Sequence, residues 1–252
     1  CDLRDKMEPA IKAVIFVDAL GNPSGLTQIK MVCQEYGVPL IEDAACAIGS
    51  SVEGQKVGSI ADLTCFSFHP RKLLTTGEGG AITTNNVEYA KWFQVKLNHG
   101  ADGMKGKGLD FVDYGYNYRM SEIQALLGWK QILKLDDIVS RRQGIADDYA
   151  CLLEEIGYGR QCISEGTQHN VQSLIFTVPE SVSRDALIDH LASHEIESTL
   201  GTYCLSATTY YKDKYNSVQP KALWLEQNTI TLPCYDGVDV QRVVKVIRSF
   251  VH

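Results

Sequence analysis

Residues 13–18, AVIFVD, form an unbroken apolar run closed by an acid. Such runs suit strands of a parallel sheet buried on both faces. GNPSG follows as a turn cluster. LTQIKMVCQEYG then places Leu26, Ile29 and Val32–Cys33 at helical spacing, with Gly37 as the stop. VPLIED, 38–43, reads as the next strand, which makes a βαβ unit with a right-handed crossover. ADLTCFSFH, 61–69, is a third strand, AITTN, 81–85, a fourth, and NVEYAKWFQVKLNHG a helix after it. Ser121-Glu122-Ile123-Gln124 is a capping box opening a helix with Ile123, Leu126 and Leu127 on one face. Residues 135–157 read as a long amphipathic helix ending at Gly157.

From about residue 160 the texture changes. VQSLIFTV, 171–178, is a strand, Ser183 caps a helix to His194, and IESTL is a short strand. Leu223–Gln227 closes a short helix, TITLP is extended, and Asp239 begins the last helix. The expected class is α/β: a mixed, mostly parallel sheet with flanking helices, then a smaller α+β domain. The expected division is 1–135 for the large domain, and 136–252 for the connecting helix and the small domain.

Composition narrows the function. The chain has 252 residues, 24 Lys and Arg against 31 Asp and Glu, and a net charge of −7. That argues against nucleic acid as a partner, because phosphate backbones demand a basic face. No apolar run reaches the length of a membrane span, and no signal peptide is read at the start. Of eight cysteines, none forms a CxxC pair, so reduced thiols in a cytoplasmic protein are expected rather than a zinc site. His190 and His194 share a helix face without further ligands in pattern, so no metal is expected there. The chain opens on Cys1 rather than Met, which suits a fragment or a processed product.

The chemistry gathers at strand ends, where ligands bind in parallel α/β sheets. Asp43 ends the second strand, Ser67 and His69 end the third, and Lys72 lies three residues beyond His69. A lysine amine can form a Schiff base with an aldehyde cofactor. Pyridoxal phosphate also needs an acid at its ring nitrogen and donors for its phosphate. Asp43, Lys72 and Ser67 supply these groups, and Gly77, Gly79 and Gly80 let the chain turn back antiparallel. Taken singly, each has a plainer reading as a cap, a turn or a solvated charge. Only their joint spacing raises the hypothesis.

EDAACAIGS, FSFHPRKLLTTGEGGAITTN, LNHGAD, YGYNYRMSEIQALLG and LASHEIESTLGTYCLSATTYY together resemble the DegT/DnrJ/EryC1/StrS-type sugar aminotransferases, fold type I pyridoxal-phosphate enzymes. The resemblance implies that Lys72 is the Schiff-base lysine and moves protons between the substrate carbon and C4′. It implies that Asp43 pairs with the pyridine nitrogen and Ser67 binds the phosphate. Cys46 stands where relatives often have Gln or His beside the phenolic oxygen. Asn117 resembles the residue that reaches the cofactor of a neighbouring subunit, which implies a homodimer with shared sites. His69, Arg71, Glu78 and Arg119 belong to the motif, Glu78 and Arg119 with structural roles. The implied reaction transfers an amino group from an amino acid, L-glutamate, to a nucleotide-linked keto sugar through pyridoxal and pyridoxamine phosphate. Two alternatives stand beside it. One is a dehydratase of the same fold, against which Lys72 counts. The other is a non-catalytic chain, because the family's amino-terminal section, with its phosphate loop and ring-stacking aromatic, is not found here. Ser206 stands where relatives often have His.

Overall fold

The computed structural model describes residues 2–251. Cys1 therefore lies outside the described residues. The chain divides into two compact units. One holds the chain up to Ile138 together with Ser164–Gln172, and the other holds Val139–Ile163 and the chain from Ser173 onward.

The first unit opens with α1 (Asp2–Lys6) and β1 (Val14–Val17), then α2 (Leu26–Glu35) and β2 (Leu40–Asp43). The expected stop of α2 is present: Gly37 follows it with φ 65°, the left-handed geometry that glycine adopts without cost. The hairpin β3 (Ser51–Val52) and β4 (Gln55–Lys56) precedes β5 (Leu63–Ser67) and β6 (Gly80–Thr83). The main sheet runs β1-β2-β5-β6. The first two pairings are parallel and β5–β6 is antiparallel, so the sheet is mixed and mostly parallel, as the pattern predicts. Register aligns Val17 with Asp43 and Asp43 with Cys65. One face packs Leu26, Cys33, Leu40, Val52 and Ala61 into a core. Full burial of one such leucine is worth about 1.5–3 kcal/mol.

Asn86 caps α3 (Val87–Leu97), its side chain accepting from the Glu88 and Tyr89 amides at 2.9 and 3.2 Å. The helix ends earlier than the sequence pattern suggests. Residues 98–111 leave it for a hairpin, β7 (Ala101–Lys105) and β8 (Gly108–Phe111). Glycines at 103, 106 and 108 had masked its period-two pattern. α4 (Glu122–Ile132) carries the expected capping box, with both reciprocal bonds of Ser121 and Gln124 formed.

The long helix α5 (Leu135–Glu154) follows, then β9 (Gly159–Arg160). β10 (Thr167–Gln168) belongs to the first unit and pairs antiparallel with β3. The second unit continues with β11 (Leu174–Thr177), α6 (Arg184–Ser193), β12 (Thr199–Leu200), α7 (Thr209–Tyr215), α8 (Pro220–Asn228), β13 (Thr229–Leu232) and α9 (Val240–Val251). Its sheet runs β12-β13-β11-β9 and is antiparallel throughout. Tyr149, Leu153, Phe176, Leu187, Leu191, Ile230 and Ile247 are fully buried there. No helix among the described residues is long and apolar enough to cross a membrane.

Candidate active site

Asp43 is the last residue of β2, and its chain turns at once. One carboxylate oxygen accepts the Ala45 amide at 3.1 Å, and the Ala44 amide donates to the Cys65 carbonyl at 3.0 Å. Cys46 sits in this turn, three residues past the end of β2. Lys72 Nζ lies 3.1 Å from Cys46 Sγ. The structure thus joins Lys72 to the turn that starts at Asp43, although 26 residues separate lysine from thiol. Lys72 forms no ion pair among the described residues, unlike Lys30 or Lys96, which are held by Asp62 and Asp113. An amine near a thiol and apart from carboxylates stays available for condensation with an aldehyde.

The loop that presents Lys72 is closed at both ends. At its base Ser67 pairs with Gly80, and the Phe68 amide donates to the Gly79 carbonyl at 2.9 Å. Above this, the Thr76 amide and the Thr75 hydroxyl both reach the Phe68 carbonyl, at 3.0 and 2.9 Å. Gly80 must be glycine, because a Cβ there would come within 2.6 Å of the Phe66 carbonyl oxygen. From α4, Gln124 Nε2 donates to the Glu78 carbonyl at 2.9 Å, and Gln131 holds the Thr75 backbone. From the returning segment, Gln172 takes the Leu73 amide at 3.0 Å and gives to the Arg71 carbonyl at 2.8 Å. Ser67 Oγ accepts only weakly from the His69 amide, at 3.4 Å, which leaves its hydroxyl proton free to donate. Glu78 enters these contacts through its backbone carbonyl, taken by Thr76 Oγ1 at 2.7 Å as well as by Gln124.

Asn117 takes part in a second network. It bridges Asn98 and accepts from Arg119 Nε at 3.2 Å, while Arg119 Nη2 meets His99 Nε2 at 3.4 Å. The loop is pinned by the buried Lys96. Its ammonium reaches Asp113 Oδ2 at 2.7 Å and the Tyr114 carbonyl at 3.1 Å, and sits over the Tyr114 ring. The Asp113 carboxyl is held below its usual range by the Lys96 bond. Around Asn117 the apolar surface is open: Tyr116, Tyr118, Ile123, Leu126 and Trp129 are all more than half exposed.

Two positions escaped the sequence reading. Asn170 is fully buried, and its amide donates to the Cys46 and Ile48 carbonyls at 2.8 and 2.9 Å, fixing the turn that carries the thiol. Its backbone N–H donates to Ser50 Oγ at 3.1 Å, and that hydroxyl donates to the Gly21 carbonyl at 2.7 Å. Asp18, read as the acid that closes the first apolar run, is almost wholly buried beside Glu42. Ser206, the departure noted in the second unit, takes the Gln219 amide at 2.9 Å and lies 3.2 Å from Cys204 Sγ. His190 points to the Val246 carbonyl and Ser249 Oγ, at 3.3 Å each. Among the described residues no cluster of three or more His, Cys, Asp or Glu is arranged for a metal ion.

Comparison with known proteins places this architecture. A candidate sugar aminotransferase of Streptococcus pneumoniae, solved in its PLP form, superposes with a TM-score of 0.86 at 28% identity, over 98% of this chain and 69% of its own. The fold is that of the fold type I pyridoxal-phosphate transferases. Within that class the chain belongs to the DegT/DnrJ/EryC1/StrS aminotransferase family, whose model matches residues 2–251. It is 30% identical to a GDP-perosamine synthase of Vibrio cholerae over 256 residues, covering 99% of this chain and 69% of the relative. Over a 139-residue stretch it is 41% identical to a UDP-4-amino-4,6-dideoxy-N-acetyl-beta-L-altrosamine transaminase of Campylobacter jejuni, 55% of this chain and 37% of the relative.

Proposed function

We propose that this chain works in a pyridoxal-phosphate-dependent aminotransferase that moves an amino group from L-glutamate to the keto carbon of a nucleotide-linked sugar. The observation that carries the reading is Lys72 Nζ set 3.1 Å from Cys46 Sγ, in the turn that Asp43 begins, with no carboxylate among the described residues in an ion pair with the amine. The residues fit the cofactor in kind: an amine for its aldehyde, an acid for its ring nitrogen, and a hydroxyl for its phosphate. The cofactor supplies an electron-withdrawing ring and a carbon that carries the amine between the two halves of the reaction.

Lys72 would hold the cofactor through its aldehyde and would carry protons at the reacting carbon. Asp43 would hold the ring nitrogen in its protonated form, Ser67 would donate to the phosphate, and Cys46 would offer a weak thiol donor to the phenolic oxygen. Asn117 serves the phosphate of a neighbouring copy across a homodimer, a role supported by the open apolar surface around it. The nucleotide-linked acceptor follows the GDP- and UDP-sugars named for the relatives.

The test is visible absorbance after pyridoxal phosphate is added to the purified protein. A lysine-bound band is expected in the wild type and none in Lys72→Ala, with the far-ultraviolet circular dichroism of the two alike. L-glutamate is then expected to bleach the band. A wild type without the band, or a Lys72→Ala that keeps it, overturns the proposal.

A further inference from the structure

Asp18 and Glu42 are 1% and 0% exposed, and they meet inside the first unit. Register puts Glu42 opposite Thr64 on β5 and opposite Phe16 on β1, two residues before Asp18. Glu42 Oε2 is well served: Thr64 Oγ1 donates at 2.6 Å and the Gly58 amide at 3.4 Å. The other three carboxyl oxygens, Glu42 Oε1 and both of Asp18, are sealed from solvent with no donor. Neither residue takes part in an ion pair among the described residues. Two facing acceptor groups with no donor and no cation cannot both be ionised at close range in a dry interior.

We propose that Asp18 and Glu42 share one proton at neutral pH and that this carboxyl pair is the positioning element behind Asp43. The proton belongs on Asp18, because Glu42 already collects two donors and is the better place for the negative charge. Asp18 then donates to Glu42 and ties the end of β1 to β2. The tie lies one residue from Asp43 in the chain, and the Asp18 amide donates to the Asp43 carbonyl at 3.0 Å. Glu42 and Asp43, as successive strand residues, face opposite sides of the sheet, so the pair backs the site without entering it.

The electrostatics agree. Burial first, then Glu42 and then the Asp43 charge push the Asp18 carboxyl up to about 9. Burial also raises Glu42, against the opposing bonds from Thr64, Asp18 and Gly58. Ionisable groups on the elements around the pair include Asp43 and Cys65 on the strands, Lys30, Cys33 and Glu35 on α2, Lys56 on β4 and His169 after β10. Of these, Lys30 is engaged by Asp62, Lys56 by Asp136, and the His169 ring by the Leu20 carbonyl. A carboxyl raised in the folded state contributes stability that is complete below its unfolded value of 3.8. That contribution is lost as pH rises toward about 9.

The experiment is infrared titration of the whole protein without cofactor, so it stands or falls apart from the proposed activity. At neutral pH the 31 Asp and Glu should be ionised apart from one. A single protonated-carboxyl carbonyl band is therefore expected in the wild type at pH 7, fading as pH approaches about 9. Asp18→Asn supplies a permanent N–H donor to Glu42; it is expected to lose the band, keep the fold, and flatten the fall in thermal midpoint between pH 6 and 9. Glu42→Gln serves as the second variant and is also expected to lose the band. No band in the wild type at pH 7, or one that persists unchanged in either variant, overturns the shared proton. For the positioning role, added pyridoxal phosphate should bind wild type and Asp18→Asn alike at pH 7, and lose affinity with rising pH only in the wild type. Parallel profiles for the two proteins overturn that part.

Discussion

Replacing Asn170 with alanine removes both N–H donors from the Cys46 and Ile48 carbonyls. The stranded carbonyls and the cavity should together cost about 2–4 kcal/mol. Urea denaturation is expected to show that loss, and pyridoxal phosphate to bind more weakly, because the Cys46 turn loses its brace. A loss within about 0.5 kcal/mol, the range of ordinary surface substitutions, would count against this role. Asn170 was invisible in the sequence for a physical reason. Its partners are backbone carbonyls more than 120 positions away, and any residue type can supply a carbonyl. The places of Asp43 and Ser67 at strand ends were legible, because an apolar run closed by a polar residue marks each of them. Asp18 was visible only as an acid after an apolar run, since nothing local announces that it faces Glu42.

Helix α4 shows how one element serves both the fold and the site. Its capping box was legible, because the reciprocal bonds of Ser121 and Gln124 need only a fixed spacing. Ser121→Ala should lower stability by about 1 kcal/mol. Gln124→Ala should cost more, since it also removes one of the two donors to the Glu78 carbonyl at the end of the Lys72 loop. A thermal-melt series of the two single variants and the double variant checks this ordering, and equal losses would contradict it. What the helix pattern did not disclose is where its apolar face goes. Ile123 is 82% exposed and Leu126 56%, so periodicity gave the shared face but not its partner. The two-residue strands β3, β4 and β10 were missed because so short a run has no period to read.

At the scale of the molecule, α4 and the tyrosines beside Asn117 gather several large apolar side chains that are exposed, the kind of surface that marks an interaction site. If the homodimer proposed above uses this face, Leu126→Glu should convert dimer to monomer in sedimentation velocity while leaving the circular dichroism unchanged. A wild type that sediments as a monomer at micromolar concentration would remove this reading. The return of Ser164–Gln172 to the first unit was not legible in the sequence, since β10 joins β3 across more than 110 residues of chain.

The Lys72 loop is bound on its strand side by β5 and β6, on a second by α4, and on a third by Gln172. A segment so tied cannot open alone. Its amides should trade hydrogen for deuterium at the pace of the whole first unit, far more slowly than a surface loop of the same length. The reactive amine would then keep its aim for as long as the unit stays folded.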